Sequence, residues 1–111
     1  MNFVNTQYDG YTVTECVKLY TRITVPSGIV KGPTVFSRTP YEPAHDGIPY
    51  GEITPDLQPF ISRGYCLVQQ HCRGRGDSEG VCVPYMERQD GLDTLEHIRH
   101  MDHYNGEIFL Y

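Results

Sequence analysis

The sequence has no long apolar run, little basic charge and no closely spaced cysteine pair, and each lack excludes a class of function. No stretch approaches the ~18 consecutive apolar residues that a membrane-spanning helix needs, so no membrane partner is predicted. Nine Lys and Arg residues stand against 14 Asp and Glu residues, for a formal net charge of -5. This balance disfavours nucleic acid and anionic membranes as partners, because both require a basic surface.

The N-terminus and the cysteines predict a cytoplasmic, reduced protein. The first ten residues, MNFVNTQYDG, lack the basic segment and the apolar segment of a signal peptide. The four cysteines form no C-x-x-C motif; they are Cys16, Cys66, Cys72 and Cys82. Without an export signal, free thiols are expected rather than a disulfide framework.

Length and composition are those of one folded domain. The chain has 111 residues, of which 39% are hydrophobic and 21% charged. These fractions are ordinary for a globular protein and argue against disorder. A chain of this length forms one domain with a modest core.

The first half of the chain is predicted to be β-rich. Apolar and polar residues alternate from residue 13 to 25, which predicts two half-buried strands with a bend at residues 14–16. Residues 34–36 form a short apolar run that predicts a third strand, ended by Pro40. From residue 41 to 59 the density of Pro and Gly predicts a long loop, and a loop of this length is usually functional or a lid.

The chain is organised around residues 60–80, with the sequence FISRGYCLVQQHCRGRGDSEG. A short helix is predicted near Leu57, Phe60 and Ile61. Residues 66–68, an apolar run bounded by turn signals, predict a buried strand. The glycine-rich segment that follows predicts a loop of the kind that open α/β sheets place at their ligand-binding edge.

The last third predicts a helix and a final strand. Residues 87 to about 100 carry an apolar stripe at three-residue steps, typical of an amphipathic helix. The stripe consists of Leu92, Leu95, Ile98 and Met101. Residues 105 and 106, Asn-Gly, predict a turn, and residues 108–111 predict a strand. The whole order is a β-rich entry followed by a βαβ unit, which indicates the α/β class.

The segment RGRGDSEG has a structural and a ligand-binding interpretation. It lacks the GK[ST] ending of a P-loop, and its glycine spacing is one residue off the dinucleotide fingerprint. The structural interpretation is favoured: Gly74 and Gly76 permit a sharp turn, and Asp77 or Ser78 caps nearby backbone donors.

Two other groups of residues suggest chemistry but favour a structural role. His97, His100 and His103 recur every three residues and could gather a metal ion. The helix is expected to fray by His103, and histidines near a helix C-terminus interact favourably with its dipole, so no metal is predicted. Cys72 beside His71 suggests a nucleophile and its base, but adjacent strand residues point to opposite faces.

Five stretches together resemble one enzyme family. They are VKLYTRITVPSG, PTVFSRTPY, RGYCLVQQHCRGRGDSEG, DGLDTLEHI and NGEIFLY. In this order and at these spacings the chain resembles the N-terminal portion of the group that contains cocaine esterase, X-Pro dipeptidyl-peptidase and α-amino-acid ester hydrolase (CocE/NonD). These are serine hydrolases with the α/β-hydrolase fold.

The resemblance implies that residues 1–111 form a partial α/β-hydrolase domain, truncated before the nucleophile elbow. The family's G-x-S-Y-x-G elbow would follow Tyr111, and the catalytic Asp and His follow the Ser in chain order. The 111 residues alone are therefore expected to be inactive and to need the remainder of the hydrolase chain. The complete enzyme would cleave a small ester or peptide substrate without a cofactor. The alternative is a non-catalytic binding or interaction module derived from a hydrolase half.

One catalytic residue is implied by the resemblance. In the family, the Tyr of the R-x-P-Y motif donates its hydroxyl to the oxyanion hole, and the matching residue is Tyr41. The sequence also departs from the family pattern. His71 stands where the family usually has Asp, and His97 and His103 stand where it often has Trp, of which this chain has none.

Overall fold

A computed structural model describes residues 6–14, 17–39, 53–75, 78–80 and 87–111. These residues form five strands and two helices: β1 Thr6–Thr14, β2 Val17–Val25, β3 Gly32–Thr39, α1 Gln58–Ser62, β4 Cys66–His71, α2 Glu87–Arg99 and β5 Tyr104–Leu110. The predicted order of elements is confirmed. Neither helix of this described part is long and apolar enough to cross a membrane.

The five strands form one mixed sheet in the order β1-β2-β4-β3-β5. β2 pairs antiparallel with both β1 and β4, so the part of the sheet formed by β1, β2 and β4 is antiparallel. β3 pairs parallel with both β4 and β5. Parallel neighbours need crossover connections, and here α1 and α2 lie in those connections.

The two helices cover opposite faces of the sheet. β4 is central, and all six of its residues are buried. On one face a core cluster joins the sheet to the region of α1; it contains Val35, Leu57, Ile61 and Leu67. On the other face a second cluster joins the sheet to α2; it contains Phe36, Val68 and Ile98. The result is the layered α/β arrangement that the sequence predicts.

The buried face of α2 is more polar than its predicted apolar stripe. Ile98 is fully buried, but Leu92 is 44% exposed, so its predicted place in the core is wrong. Asp90 and Thr94 are instead fully buried. Thr94 meets a partner on β4, since the Gln70 amide Nε2 donates to the Thr94 hydroxyl at 3.0 Å. Polar side chains with such partners can occupy a core.

The predicted alternation also fails at the end of β1. The pattern places Val13 on the apolar, core-facing side, yet Val13 is 53% exposed and Thr12 only 6% exposed. The Thr12 hydroxyl lies 3.0 Å from the Thr21 hydroxyl, so the buried polar group is hydrogen-bonded. The threonine therefore faces the core without an unsatisfied polar atom.

Asn105 and Gly106 belong to β5 rather than to a separate turn, which corrects the sequence prediction. The register of β5 against β3 shifts here: Gly32 lies opposite Tyr104, whereas Thr34 lies opposite Ile108. The Glu107 backbone N–H donates to Asn105 Oδ1 at 3.0 Å, and Gly106 has φ +102°. The Asn-Gly signal thus produces an irregularity inside the strand.

Candidate active site

The carboxyl ends of three parallel strands lie at one edge of the sheet. β3, β4 and β5 end there at Thr39, His71 and Leu110. The Cys72 backbone N–H donates to the Thr39 carbonyl at 2.9 Å, which ties the ends of β3 and β4 together. Open α/β sheets bind ligands outside this edge. We therefore treat this edge as the candidate active site.

Tyr41, the predicted oxyanion donor, lies outside the described residues, which omit 40–52. Thr39 is the last described residue before it, and it is the partner of His71 in the parallel ladder. The predicted strand ahead of the R-T-P-Y motif is confirmed and extends to Thr39. The role of Tyr41 itself stays a prediction.

The loop after β4 is tied to α2 by a buried ion pair. The guanidinium of Arg73 donates twice to the Asp90 carboxylate, with Nε–Oδ2 2.9 Å and Nη2–Oδ1 2.8 Å. Asp90 is fully buried, and Arg73 is 8% exposed. Two parallel hydrogen bonds fix both distance and orientation, so the start of the loop is held against the first turn of α2.

Ser78 and Glu79 tie the other end of the same loop to β2. The Ser78 hydroxyl donates to the His71 carbonyl at 2.7 Å and accepts from the Tyr20 backbone N–H at 2.8 Å. The Glu79 N–H donates to the Lys18 carbonyl at 2.8 Å. The prediction that Ser78 caps a backbone donor is confirmed, whereas Gly76 and Asp77 lie outside the described residues. These bonds support the structural interpretation of the glycine-rich segment.

A buried aromatic and charged group lies beside the end of β4, and sequence reasoning missed it. The ring of His71 stacks on Tyr20, with centroids 5.4 Å apart and planes 29° apart. The Tyr20 hydroxyl accepts from Arg22 Nη2 at 3.2 Å, and Arg22 Nε donates to Asp9 Oδ1 at 2.9 Å. Burial raises the pKa of Tyr20, against the opposing effect of the Arg22 hydrogen bond.

The ring of His71 lies within this group, stacked on Tyr20. His71 is fully buried, so its ring is part of the core rather than open to solvent. The available signal was the spacing of Tyr20 and Arg22, because residues two apart on a strand share a face. Their contact with His71 on β4 was not predictable from the sequence of β2 alone.

The three C-terminal histidines contact three different partners. His97 Nε2 lies 3.1 Å from the Val13 carbonyl, and His100 Nε2 lies 3.2 Å from Glu96 Oε1. His103 is buried, with Nδ1 3.4 Å from the Thr34 hydroxyl, and burial lowers its pKa. Within the described ranges no three His, Cys, Asp or Glu residues are placed to hold a metal ion.

The two cysteines in the described part of the chain, Cys66 and Cys72, are both buried. Burial raises the pKa of Cys66, which keeps it protonated. A buried, protonated thiol acts as a small apolar group rather than as a nucleophile.

An open groove of about 330 Å³ lies between α2 and the end of β5. It is largely apolar, and its lining includes Phe36, Arg38, Leu92, Leu95 and Leu110. Leu110 is 75% exposed in it. The groove runs along the candidate active-site edge, on the face that α2 only partly covers.

Together, the mixed sheet, its order and the helices on both faces place the chain in the α/β-hydrolase class, as the N-terminal part of that fold. The sequence profile of X-Pro dipeptidyl-peptidase (S15 family) matches residues 9–111. The chain belongs to this family of hydrolases. No curated protein matches the chain by sequence.

Solved structures of low sequence identity share the fold. A CocE/NonD family hydrolase from Staphylococcus aureus is 24% identical, with a TM-score of 0.79 over 96% of this chain and 23% of that chain. An α-amino acid ester hydrolase is 23% identical, with a TM-score of 0.72 over 96% and 20%. An aminopeptidase from a marine sediment Thaumarchaeota archaeon is 23% identical, with a TM-score of 0.76 over 97% and 21%. The chain thus spans about a fifth of the length of these structures.

Proposed function

We propose that these 111 residues supply the sheet scaffold and an oxyanion-hole tyrosine, Tyr41, to a serine hydrolase that cleaves an ester or amide bond. The observation that carries the proposal is that Arg38 and Thr39, the first two residues of the R-T-P-Y sequence, end β3 at the candidate active-site edge. Family membership over residues 9–111 supports the same reaction class. The substrate is a small ester or a peptide.

The proposed chemistry is acyl transfer. When a nucleophile attacks the substrate carbonyl, negative charge develops on its oxygen, and a preorganised hydroxyl donor stabilises that charge. A phenol is a suitable donor, because its O–H is polarised and its ring restricts its position. Pro40 restricts the backbone just before Tyr41, which favours a fixed placement of that donor.

The remainder of the hydrolase chain supplies the nucleophilic Ser and its Asp and His partners in this proposal. The apolar groove and the exposed Leu110 support the presence of such a partner, because soluble proteins rarely leave such surface open. The buried free thiol of Cys66 supports a reducing, cytoplasmic location.

The experiment is Tyr41→Phe in an intact hydrolase that contains this segment. The substitution should lower kcat by ~10²–10³-fold, because one oxyanion donor is lost. KM should change little, because the contact forms only in the transition state. The measurement is steady-state kinetics on an activated ester, with circular dichroism to show that the fold is retained.

Tyr11→Phe is the matched control, since Tyr11 lies on β1 and is 57% exposed. It should leave kcat unchanged. Full kcat in a folded Tyr41→Phe enzyme would show that Tyr41 is not the oxyanion donor. The isolated 111 residues should hydrolyse the same ester only at the background rate. Ligand binding without turnover in the intact protein would instead favour the non-catalytic module.

A further inference from the structure

The antiparallel ladder between β2 and β4 stops one residue short of the candidate active-site edge. Its last pair at this end is Thr21 with Gln70. One more step in the same register would place Tyr20 opposite His71. The ring of Tyr20 stacks on that of His71, as expected of residues facing each other across two strands.

The Ser78 hydroxyl takes the place of the next direct hydrogen bond. It accepts from the Tyr20 N–H at 2.8 Å and donates to the His71 carbonyl at 2.7 Å. These two backbone groups are the ones that a continued ladder would join directly. An oxygen inserted between them keeps the two strands farther apart than a direct bond of about 2.9 Å would.

The loop that carries Ser78 is anchored on both sides, so the hydroxyl is held in place. Arg73 is paired with the buried Asp90 of α2. The Glu79 N–H donates to the Lys18 carbonyl, and its carboxylate accepts from the Lys18 N–H at 3.1 Å. The Gly74 N–H donates to the Glu79 carbonyl at 2.9 Å, which closes the loop on itself.

The end of β4 is hydrogen-bonded to the end of β3, so a displacement of β4 at this edge also displaces β3. His71 and Thr39 are partners in the parallel ladder, and the Cys72 N–H donates to the Thr39 carbonyl at 2.9 Å. Thr39 precedes Tyr41 by two residues in the sequence. A shift of the end of β4 toward β2 would therefore move Thr39, the last residue of β3.

We propose that Ser78 is a positioning residue: its hydroxyl sets the separation of β2 and β4 at the candidate active-site edge and thereby the position of Thr39, two residues before the proposed oxyanion donor Tyr41 in the sequence. The inference rests on the proposed function of Tyr41. Without the hydroxyl, the Tyr20 N–H and the His71 carbonyl each lose a hydrogen bond, or the two strands move together and these groups bond directly. Both outcomes change the end of β4.

The test uses Ser78→Ala and Ser78→Thr in an intact hydrolase that contains this segment. Ser78→Ala should lower kcat by ~10–10²-fold with little change in KM, because a displacement of about 1 Å at a catalytic group costs on that order. Ser78→Thr keeps a hydroxyl and should restore most of kcat. Ser62→Ala, on the exposed end of α1, is the matched control and should leave kcat unchanged.

A double-mutant cycle separates this inference from the proposed function. If Ser78 acts through Tyr41, Ser78→Ala should cost little further kcat in a Tyr41→Phe background. Additive losses would overturn the positioning role while leaving Tyr41 as the oxyanion donor. Full kcat in Tyr41→Phe would overturn both. A loss of kcat in Ser78→Ala that matches the fraction of unfolded enzyme would also overturn the inference, since the serine would then be purely structural.

Discussion

Asp90 is the side chain whose loss we expect to destabilise the domain most strongly. It is fully buried, and it accepts two hydrogen bonds from Arg73. Its substitution removes both charge-assisted hydrogen bonds from the buried Arg73, and breaking a buried ion pair costs ~3–5 kcal/mol. Asp90→Ala should lower the free energy of unfolding by that amount in a urea titration of an intact hydrolase containing this segment.

The control for Asp90 is an exposed ion pair on the same helix. Arg99 and Glu96 are 3.6 Å apart and more than half exposed. Exposed pairs contribute ~0–1 kcal/mol, so Glu96→Ala should have a small effect. Similar losses in the two variants would contradict a special role of the buried pair.

His103 should make the stability of the domain depend on pH. Burial lowers its pKa in the folded state, although the neighbouring Asp102 opposes this effect. The unfolded state therefore binds more protons, so stability is full above the unfolded pKa of ~6.5 and is lost as pH falls toward the folded pKa. Its Nε2 has no hydrogen-bond partner among the described residues, which disfavours a second N–H there.

The measurement is the thermal midpoint of an intact hydrolase containing this segment, between pH 7.5 and 5. His103→Gln should flatten the decrease that the wild type shows on acidification. His97→Gln, at an exposed histidine of α2, should retain that decrease. An equal decrease in wild type and His103→Gln would assign the pH dependence to other groups.

The start of β3 packs against the turn before β4 so closely that only glycine fits. A Cβ at Gly32 would lie 2.7 Å from the Gly64 carbonyl oxygen, which is backbone and cannot rotate away. Gly32→Ala should therefore force the two segments apart, at a cost of ~1–3 kcal/mol in the free energy of unfolding. Chemical unfolding of the intact hydrolase would measure this loss.

Gly10→Ala on β1 is the control, because a Cβ there has no atom within 4 Å. Alanine is favoured over glycine within a strand, so this change should be neutral or stabilise by up to ~1 kcal/mol. A Gly32→Ala variant as stable as Gly10→Ala would show that the contact relaxes freely.

The helices and strands were predictable from short stretches of sequence, because the spacing of apolar residues and the presence of turn-forming residues are local properties. The alternation of apolar and polar residues predicted a strand at β2, and the apolar run at residues 66–68 predicted the buried β4. The predicted half-burial of β2 is wrong, because Arg22 and Thr24 on its polar side are 1% and 0% exposed. What failed depends on partners far away in the chain. Thr12 is buried because Thr21 meets it across two strands, and Thr94 is buried because Gln70 meets it from β4.

In the candidate active site, too, local features were predictable and contacts between distant residues were not. Ser78 was predicted to cap a backbone donor because it follows a glycine-rich turn, a local signal. The identity of that donor, Tyr20, was not predictable, since 58 residues separate the two. The contact between Tyr20 and His71 likewise requires β2 and β4 to be neighbours, which is a property of the sheet order.

From Ile108 onward β5 is apolar on both faces, and it lies at one end of the sheet that the described residues form. Ile108 packs against the Phe36 cluster on the α2 face. On the α1 face, Phe109 lies 6.0 Å from Tyr65, and Tyr111 just beyond the strand lies 5.8 Å from Phe60, between ring centroids. Strands that are apolar on both sides are typical of parallel sheets covered on both faces.

The 111-residue chain on its own should therefore self-associate. Leu110, Tyr111 and Phe109 are 75%, 59% and 45% exposed, and an unprotected strand edge beside apolar surface is a template for pairing. Sedimentation velocity at increasing concentration should show species larger than a monomer. Leu110→Lys should reduce association, because a charge at an edge opposes pairing. Val30→Lys, which changes an equally exposed residue between β2 and β3, should not reduce it. A wild-type chain that stays monomeric and melts cooperatively would show that the described sheet needs no partner along β5.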